Sequence, residues 1–319
     1  MNYDTKFKQE LKKKMEDKQL SPNSISLYLR NLEKLNDDQP LKDFKFLNNV
    51  DGIVKKLNDY KENTKRGYLI SVCSALGTDK ATKPKQQLYD KYFELMVSKN
   101  KELKAVESSN EKTDTQKTNW IDWNDVEAKY TELKTECEAF SKRKEINEHL
   151  YNQLLSLMVL SLYTCNPPRR NEYQKMNIIK NEQKTTGLLA TMNYLDYDNK
   201  LLILNSYKTA KSGGQKKLPI NDELYKVINM YIKFHPVLKG KKPTKETNTP
   251  FLVYYNGKPL DAINSITRIL NRVFGRKVSS SMLRHSYLSS KYAKINEEQK
   301  EDAEAMGHST SMQKDYIKN

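Results

Sequence analysis

Along the first hundred residues apolar side chains recur every three or four positions in short stretches broken by turns, a pattern that predicts several short helices. Ser21-Pro22 reads as an N-cap followed by proline at the first helical position. Ile25, Leu29, Leu32 and Leu35 then form one buried stripe. A further helix is expected from about Asn63 to just before Gly77, with Leu69, Val72 and Leu76 inward and Lys61, Lys65 and Arg66 at its N-terminal end. The periodicity stops at Lys104–Asn119, where KAVESSNEKTDTQKTN has almost no large apolar residue and reads as a linker.

After Trp120 and Trp123 the helical pattern resumes, and the apolar run LLSLMVLSLYT at 154–164 predicts the most buried helix. Residues 188–220 change character. Short alternating or apolar runs separated by YDN and SGG predict a three-stranded β-meander. Helices are expected again at 221–234, 261–274, 279–294 and 296–305. The fold class is therefore mainly α with a small β-meander, divided into an N-terminal helical domain (1–104), a linker (105–119) and a second domain (120–319).

The length of 319 residues agrees with two domains. No apolar run approaches the ~18–20 residues of a membrane span, and MNYDTKFKQELKKKMEDK lacks the apolar stretch of a secretory signal, so an intracellular protein without membrane partners is expected. Three separated cysteines, Cys73, Cys137 and Cys165, form neither a disulfide framework nor a metal-ligand spacing.

Charge narrows the class further. The net charge is +16, and residues 151–300 carry 25 basic and 10 acidic side chains, so that one region concentrates the excess. A polyanion such as nucleic acid suits it, because neutralising phosphates releases counterions; a soluble basic surface is the plainer reading. Lys61, Lys65 and Arg66 oppose the dipole of the helix they begin, so a DNA phosphate near the helix start and a merely solvated face are equally open readings there.

Four segments of the second domain carry candidate chemistry. PPRRNEY at 167–173 puts Arg169 and Arg170 directly after a buried helix, with Glu172 three residues beyond Arg169, placed to orient its guanidinium. KTAKSGGQKK at 208–217 puts Lys208 and Lys211 at a hairpin tip beside Gly213 and Gly214, followed by Lys216 and Lys217; no Gly-Lys-Ser/Thr makes it a Walker loop. SSSMLRHSYLSSKYA at 279–293 places Arg284 and His285 on an amphipathic helix whose Met282, Leu283, Tyr287 and Leu288 read as buried. MGHSTSMQKDY at 306–316 supplies His308 and Tyr316. Singly, each has an ordinary structural or solvated explanation.

In this order, Arg169, the hairpin lysines, Arg284, His308 and Tyr316 resemble the catalytic set of the tyrosine recombinase/integrase family. The resemblance spans nearly the whole chain. NWIDWNDV, PPRRNEY and SSSMLRHSYLS look closer to integrases of large eukaryotic DNA viruses, virophages and related mobile elements than to bacterial recombinases. It implies an N-terminal SAM-like core-binding domain and a C-terminal catalytic domain that clamp double-stranded DNA, with Lys61, Lys65, Arg66, Arg170, Lys216 and Lys217 as DNA contacts. It also implies assembly on DNA, as a dimer on each site and a tetramer in synapsis, wherever the DNA lies, in a host nucleus, viral factory or virion.

The resemblance assigns Tyr316 as nucleophile, Arg169 and Arg284 as phosphate ligands, His308 as a phosphate hydrogen-bond donor, Lys208 as general acid and Glu172 as support for the arginines. Lys211 is the alternative acid: Lys-Thr and the distance from LLILNSY favour Lys208, whereas counting back from Pro219 favours Lys211. The family's usual His-x-x-Arg has Ser281 three residues before Arg284, so the tyrosine's proton acceptor is missing or supplied elsewhere. His285 points elsewhere on a helix, and the His308 to Tyr316 spacing is one residue shorter than in common bacterial members. Two arginines on the non-bridging oxygens would stabilise the pentacoordinate transition state without metal or cofactor. A covalent phosphotyrosine would conserve the bond energy so that rejoining needs no ATP. Relaxation of DNA by a type IB topoisomerase, and a catalytically silent DNA-binding protein, are the other functions such a chain could have.

Overall fold

Ser21 accepts the backbone N–H of Ser24 at 3.1 Å and Pro22 opens the helix behind it, as the sequence pattern requires. The computed structural model describes residues 4–79, 82–108, 112–184, 187–244 and 249–316. The chain divides into two units, residues 1–112 and 113–319.

The first unit holds α1 (Lys6–Asp17), α2 (Pro22–Leu35), α3 (Val50–Leu57), α4 (Glu62–Leu76) and α5 (Lys83–Ser108). Ile25, Leu29, Leu32 and Leu35 of α2 pack with Leu69, Val72 and Leu76 of α4 in one core. Tyr92 of α5 is fully buried there and donates its hydroxyl to the Leu47 carbonyl at 2.8 Å.

In the second unit α6 (Asp114–Asn119), α7 (Trp123–Phe140) and α8 (Glu148–Thr164) come first. α8 is buried from Leu154 to Tyr163, as its unbroken apolar run requires, and α7 packs along it. A five-stranded sheet follows, made of β1 (Asn177–Ile179), β2 (Tyr194–Asp196), β3 (Leu201–Leu204), β4 (Lys216–Pro219) and β5 (Thr249–Pro250). The strand order is β4-β3-β2-β1-β5, with β1 parallel to β2 and the other pairs antiparallel. Between β3 and β4 lies a helical turn, α9 (Ala210–Gly213), and α10 (Asp222–Lys233) precedes β5. The chain continues through α11 (Ser265–Phe274), α12 (Ser280–Ala305) and α13 (Thr310–Tyr316).

Three expectations need correction. The three-stranded meander exists as β2, β3 and β4, but it belongs to a larger mixed sheet whose β1 and β5 are too short, at three and two residues, to carry a readable period. The segment expected to be a linker holds the division between the two units, after Lys112, and much of it is helical: α5 runs to Ser108, and Thr113 and Gln116 close a capping box at the start of α6, with residues 109–111 outside the described residues. The helices expected at 279–294 and 296–305 are one continuous helix, α12, with nothing at 295 to stop it. Leu288, expected inside, is 48% exposed.

Candidate functional site

Pro167 and Pro168 follow α8 and cannot continue it, because proline offers no N–H to the helical ladder. The chain turns there into PPRRNEY. Arg169 Nε lies 3.6 Å from Glu172 Oε2, close enough for an ion pair but too far for a hydrogen bond, and the Glu172 side chain is only 7% exposed. Asn166 Nδ2, Arg169 Nε, Glu172 Oε2 and Tyr173 Oη are all buried without a hydrogen-bond partner among the described residues. An unsatisfied buried polar atom costs about 1–3 kcal/mol, so four of them between 166 and 173 mark a segment shaped by something other than stability. The fifth such atom, Ser286 Oγ, lies on α12 two residues past Arg284.

Aromatic rings hold this segment. Tyr163 and Tyr173 meet edge to face with ring centroids 5.7 Å apart, and Tyr163 donates its hydroxyl to Asn171 Oδ1 at 3.3 Å. Burial pushes the Tyr173 hydroxyl above its ordinary pKa, against the opposing pull of Arg169. Burial likewise raises Tyr163 well above the ordinary value, partly offset by the Ser280 hydroxyl at the start of α12. The N-terminal turn of α12, which leads to Arg284, thus lies by Tyr163 at the end of α8, the residue whose ring meets Tyr173.

The lysine loop reaches the same place. The Arg169 guanidinium carbon lies 5.8 Å from the Tyr207 ring centroid, and Lys216 Nζ lies 5.5 Å from it. Tyr207 donates its hydroxyl to the Gly214 carbonyl at 2.7 Å, closing the loop between β3 and β4. A Cβ at Gly213 would come within 2.4 Å of that hydroxyl, and Gly214 has φ +60°, so both glycines are demanded by the turn. Lys208 precedes α9 and is exposed, without a hydrogen bond or ion pair among the described residues. Lys211 stands within α9, so the two lysines lie on different parts of the turn rather than together at a hairpin tip. A cavity of about 390 Å³ opens alongside, lined among others by Glu172, Lys175, Asn193, Ser206 and Asp261.

Arg284 is half-buried on α12, between buried Leu283 and Ser286, and has no hydrogen-bond or ion-pair partner among the described residues. Ser281 and His285 are exposed on the same helix. Trp123 of α7 and Tyr287 meet edge to face at 5.0 Å, and beyond them no side chain of α12 is buried until Ala303. At 1.5 Å per residue, an unbroken helix places Ala305 about 30 Å from Arg284. His308 lies three residues further on; its backbone N–H bonds the Ala303 carbonyl, and its ring stacks on Tyr316 with centroids 5.5 Å apart. The structure thus forms two groups. Arg169, Glu172, the lysine loop and the start of α12 make one, and His308 with the exposed Tyr316 makes the other.

Other expected contacts have partners of their own. Lys65 and Lys99 both bond Glu62 at 2.8 Å, and these two cations hold the Glu62 carboxyl down at about 2. Glu62 lies in the first turn of α4, so an acid of the same helix already answers the dipole argument raised by Lys61, Lys65 and Arg66. Arg66 bonds Asn100 of α5. Lys217 pairs with Glu182, whereas Arg170 is exposed.

The sequence reading missed Asn193 and Tyr207. Asn193 makes its contacts across more than ten residues in both directions and leaves no local signal; the aromatic residue before Lys208 was the available hint of Tyr207. Among the described residues no three His, Cys, Asp or Glu side chains gather as metal ligands would, and no helix is long and apolar enough to cross a membrane. Comparison with family models, with curated proteins and with solved structures finds no match.

Proposed function

We propose that this chain is a tyrosine recombinase, a site-specific integrase that cuts and rejoins double-stranded DNA through a 3′-phosphotyrosyl intermediate on Tyr316. The first unit would serve as the core-binding domain and the second as the catalytic domain, assembling as a homo-oligomer on DNA.

The observation that carries the reading is Arg169, anchored by buried Glu172, with its buried Nε unbonded and its guanidinium against the ring that closes the lysine loop. A cation fixed in this way can meet a phosphodiester without reorganising, which is how preorganised charge lowers a barrier. Arg284 would take the second non-bridging oxygen. Tyr316, losing its phenolic proton to solvent, would bond the phosphorus as the P–O5′ bond breaks and Lys208 protonates the leaving 5′ oxygen. His308, stacked on Tyr316, would arrive with the nucleophile and bond the phosphate.

For this chemistry the two groups must meet at one phosphate. Incubation with a nicked suicide substrate followed by a denaturing gel tests the reading: a protein–DNA adduct is expected. A second reading, a DNA-binding protein on this architecture without catalysis, gains from the length of α12 and from Ser281 at the expected histidine position. Binding without any adduct would select it.

A further inference from the structure

Asn193 stands just before β2, 6% exposed, and uses every hydrogen-bonding position of its amide. Its Nδ2 donates to the Glu172 carbonyl and to the Ser206 carbonyl, both at 2.9 Å. Its Oδ1 accepts the N–H of Asn205 at 2.9 Å and of Ser206 at 2.7 Å. Two carbonyls on one side and two N–H groups on the other fix which way the amide faces. The side chain therefore ties the backbone of the arginine segment to the root of the lysine loop, 34 residues apart from Glu172 to Ser206.

The root is reinforced by amides alone. Asn205 donates Nδ2 to the Met192 carbonyl at 2.8 Å, and Gln215, at the far end of the loop, donates Nε2 to Asn205 Oδ1 at 2.8 Å. Among the described residues Lys208 has no bond of its own to hold it. Its backbone follows closely on residues 205–206, which Asn193 holds through three of its four bonds, the fourth going to the arginine segment at Glu172.

We propose that Asn193 is the positioning residue for Lys208, registering the general acid against the phosphate ligand Arg169; the inference rests on the recombinase reading. No other side chain of similar size supplies two donors and two acceptor sites there. Asn193→Asp keeps the shape but turns a carboxylate toward two carbonyl oxygens, and Asn193→Ala leaves all four backbone groups unpaired.

The test is single-turnover cleavage of ordinary DNA and of DNA with sulfur in place of the bridging 5′ oxygen, which leaves as a thiolate without needing a proton. With ordinary DNA, Asn193→Asp should lose about 100-fold or more in rate, the lower range of a general acid's contribution. On the sulfur substrate it should stay within about threefold of the unaltered protein, since no acid is required there. Arg169→Ala should be slow on both. Equal losses on both substrates would show that Asn193 supports the arginine segment or the fold, and Asn193→Ala, with its thermal midpoint measured alongside, must give the same ratio if folding is not the cause. No loss in either variant would remove the role altogether. Absence of any adduct from the unaltered protein would instead overturn the recombinase reading, and this inference with it.

Discussion

His308 and Tyr316 stack with ring centroids 5.5 Å apart and planes 18° from parallel, so the last histidine and the last tyrosine of the described chain travel as one unit. Tyr316 is 68% exposed. Tyr316→Phe should therefore abolish covalent adduct formation while leaving DNA affinity nearly unchanged, because it removes one oxygen and keeps the stacked ring. Adducts formed by the phenylalanine variant would assign the nucleophile to another residue.

Arg169 and Arg284 are expected to matter for cleavage far more than for binding. Contacts that strengthen in the transition state are worth about 3–4 kcal/mol each, or about 100- to 1000-fold in rate, while one phosphate contact among many is a small share of affinity. Alanine at either should show this split. Arg170→Ala should be mild, since Arg170 is exposed and it is Arg169 that pairs with Glu172. Equal losses at 169 and 170 in the gel assay would sink the assignment.

The 26-residue span of α12 carries a prediction of its own. Leu288, Tyr292 and Ile295 form an exposed apolar stripe along its second half, and for Tyr316 to reach Arg284 of its own chain α12 must break, as it could near Asn296 just past that stripe. Asn296→Pro, which forces such a break, should keep adduct formation within several-fold, whereas Leu283→Pro in the packed half should abolish it. A mixture of Arg169→Ala and Tyr316→Phe should form no adduct. Restored activity in the mixture would mean that Tyr316 serves a second copy of the chain.

Lys208 and Lys211 are separated by the same sulfur chemistry. Lys208→Ala should cleave ordinary DNA very slowly and the 5′-thio substrate nearly normally, while Lys211→Ala should only weaken binding in a salt-dependent way. The reverse pattern moves the acid to Lys211.

Stability of the second unit should depend on His235. This fully buried ring donates Nε2–H toward the carbonyls of Pro250 (3.1 Å) and Phe251 (3.3 Å), its Nδ1 accepts from the N–H groups of Val237 and Leu238, and burial lowers it from 6.5 to about 4. A depressed folded value means that the neutral ring's contribution is complete above pH 6.5 and is lost as pH falls toward 4. The difference corresponds to about 3 kcal/mol. Urea titrations across that interval should show His235→Gln less pH-sensitive than the unaltered protein. Parallel curves would contradict the assignment.

Helices with a clear apolar stripe or run, such as α2, α4 and α8, were legible in the sequence because burial on one face writes a 3.6-residue period into the chain. The turn glycines 213 and 214 and the Arg169 to Glu172 spacing were legible for the same reason: each is a contact between near neighbours. Strands β1 and β5 were not, since strands of three and two residues are fixed by the partners they pair with. Nor was the four-bond amide of Asn193, whose partners lie 12 to 21 residues away in both directions along the chain. The same holds for the course of α12. The residues from Tyr287 to Asp302 suit a helix, and they carry no signal for what the helix packs against, so only the tertiary structure decided that it runs on and carries His308 and Tyr316 away from the arginines. Local periodicity and spacing set the elements and the candidate residues, because they depend on bonds within a turn or two. Their convergence was left to packing between distant segments, which no local pattern encodes.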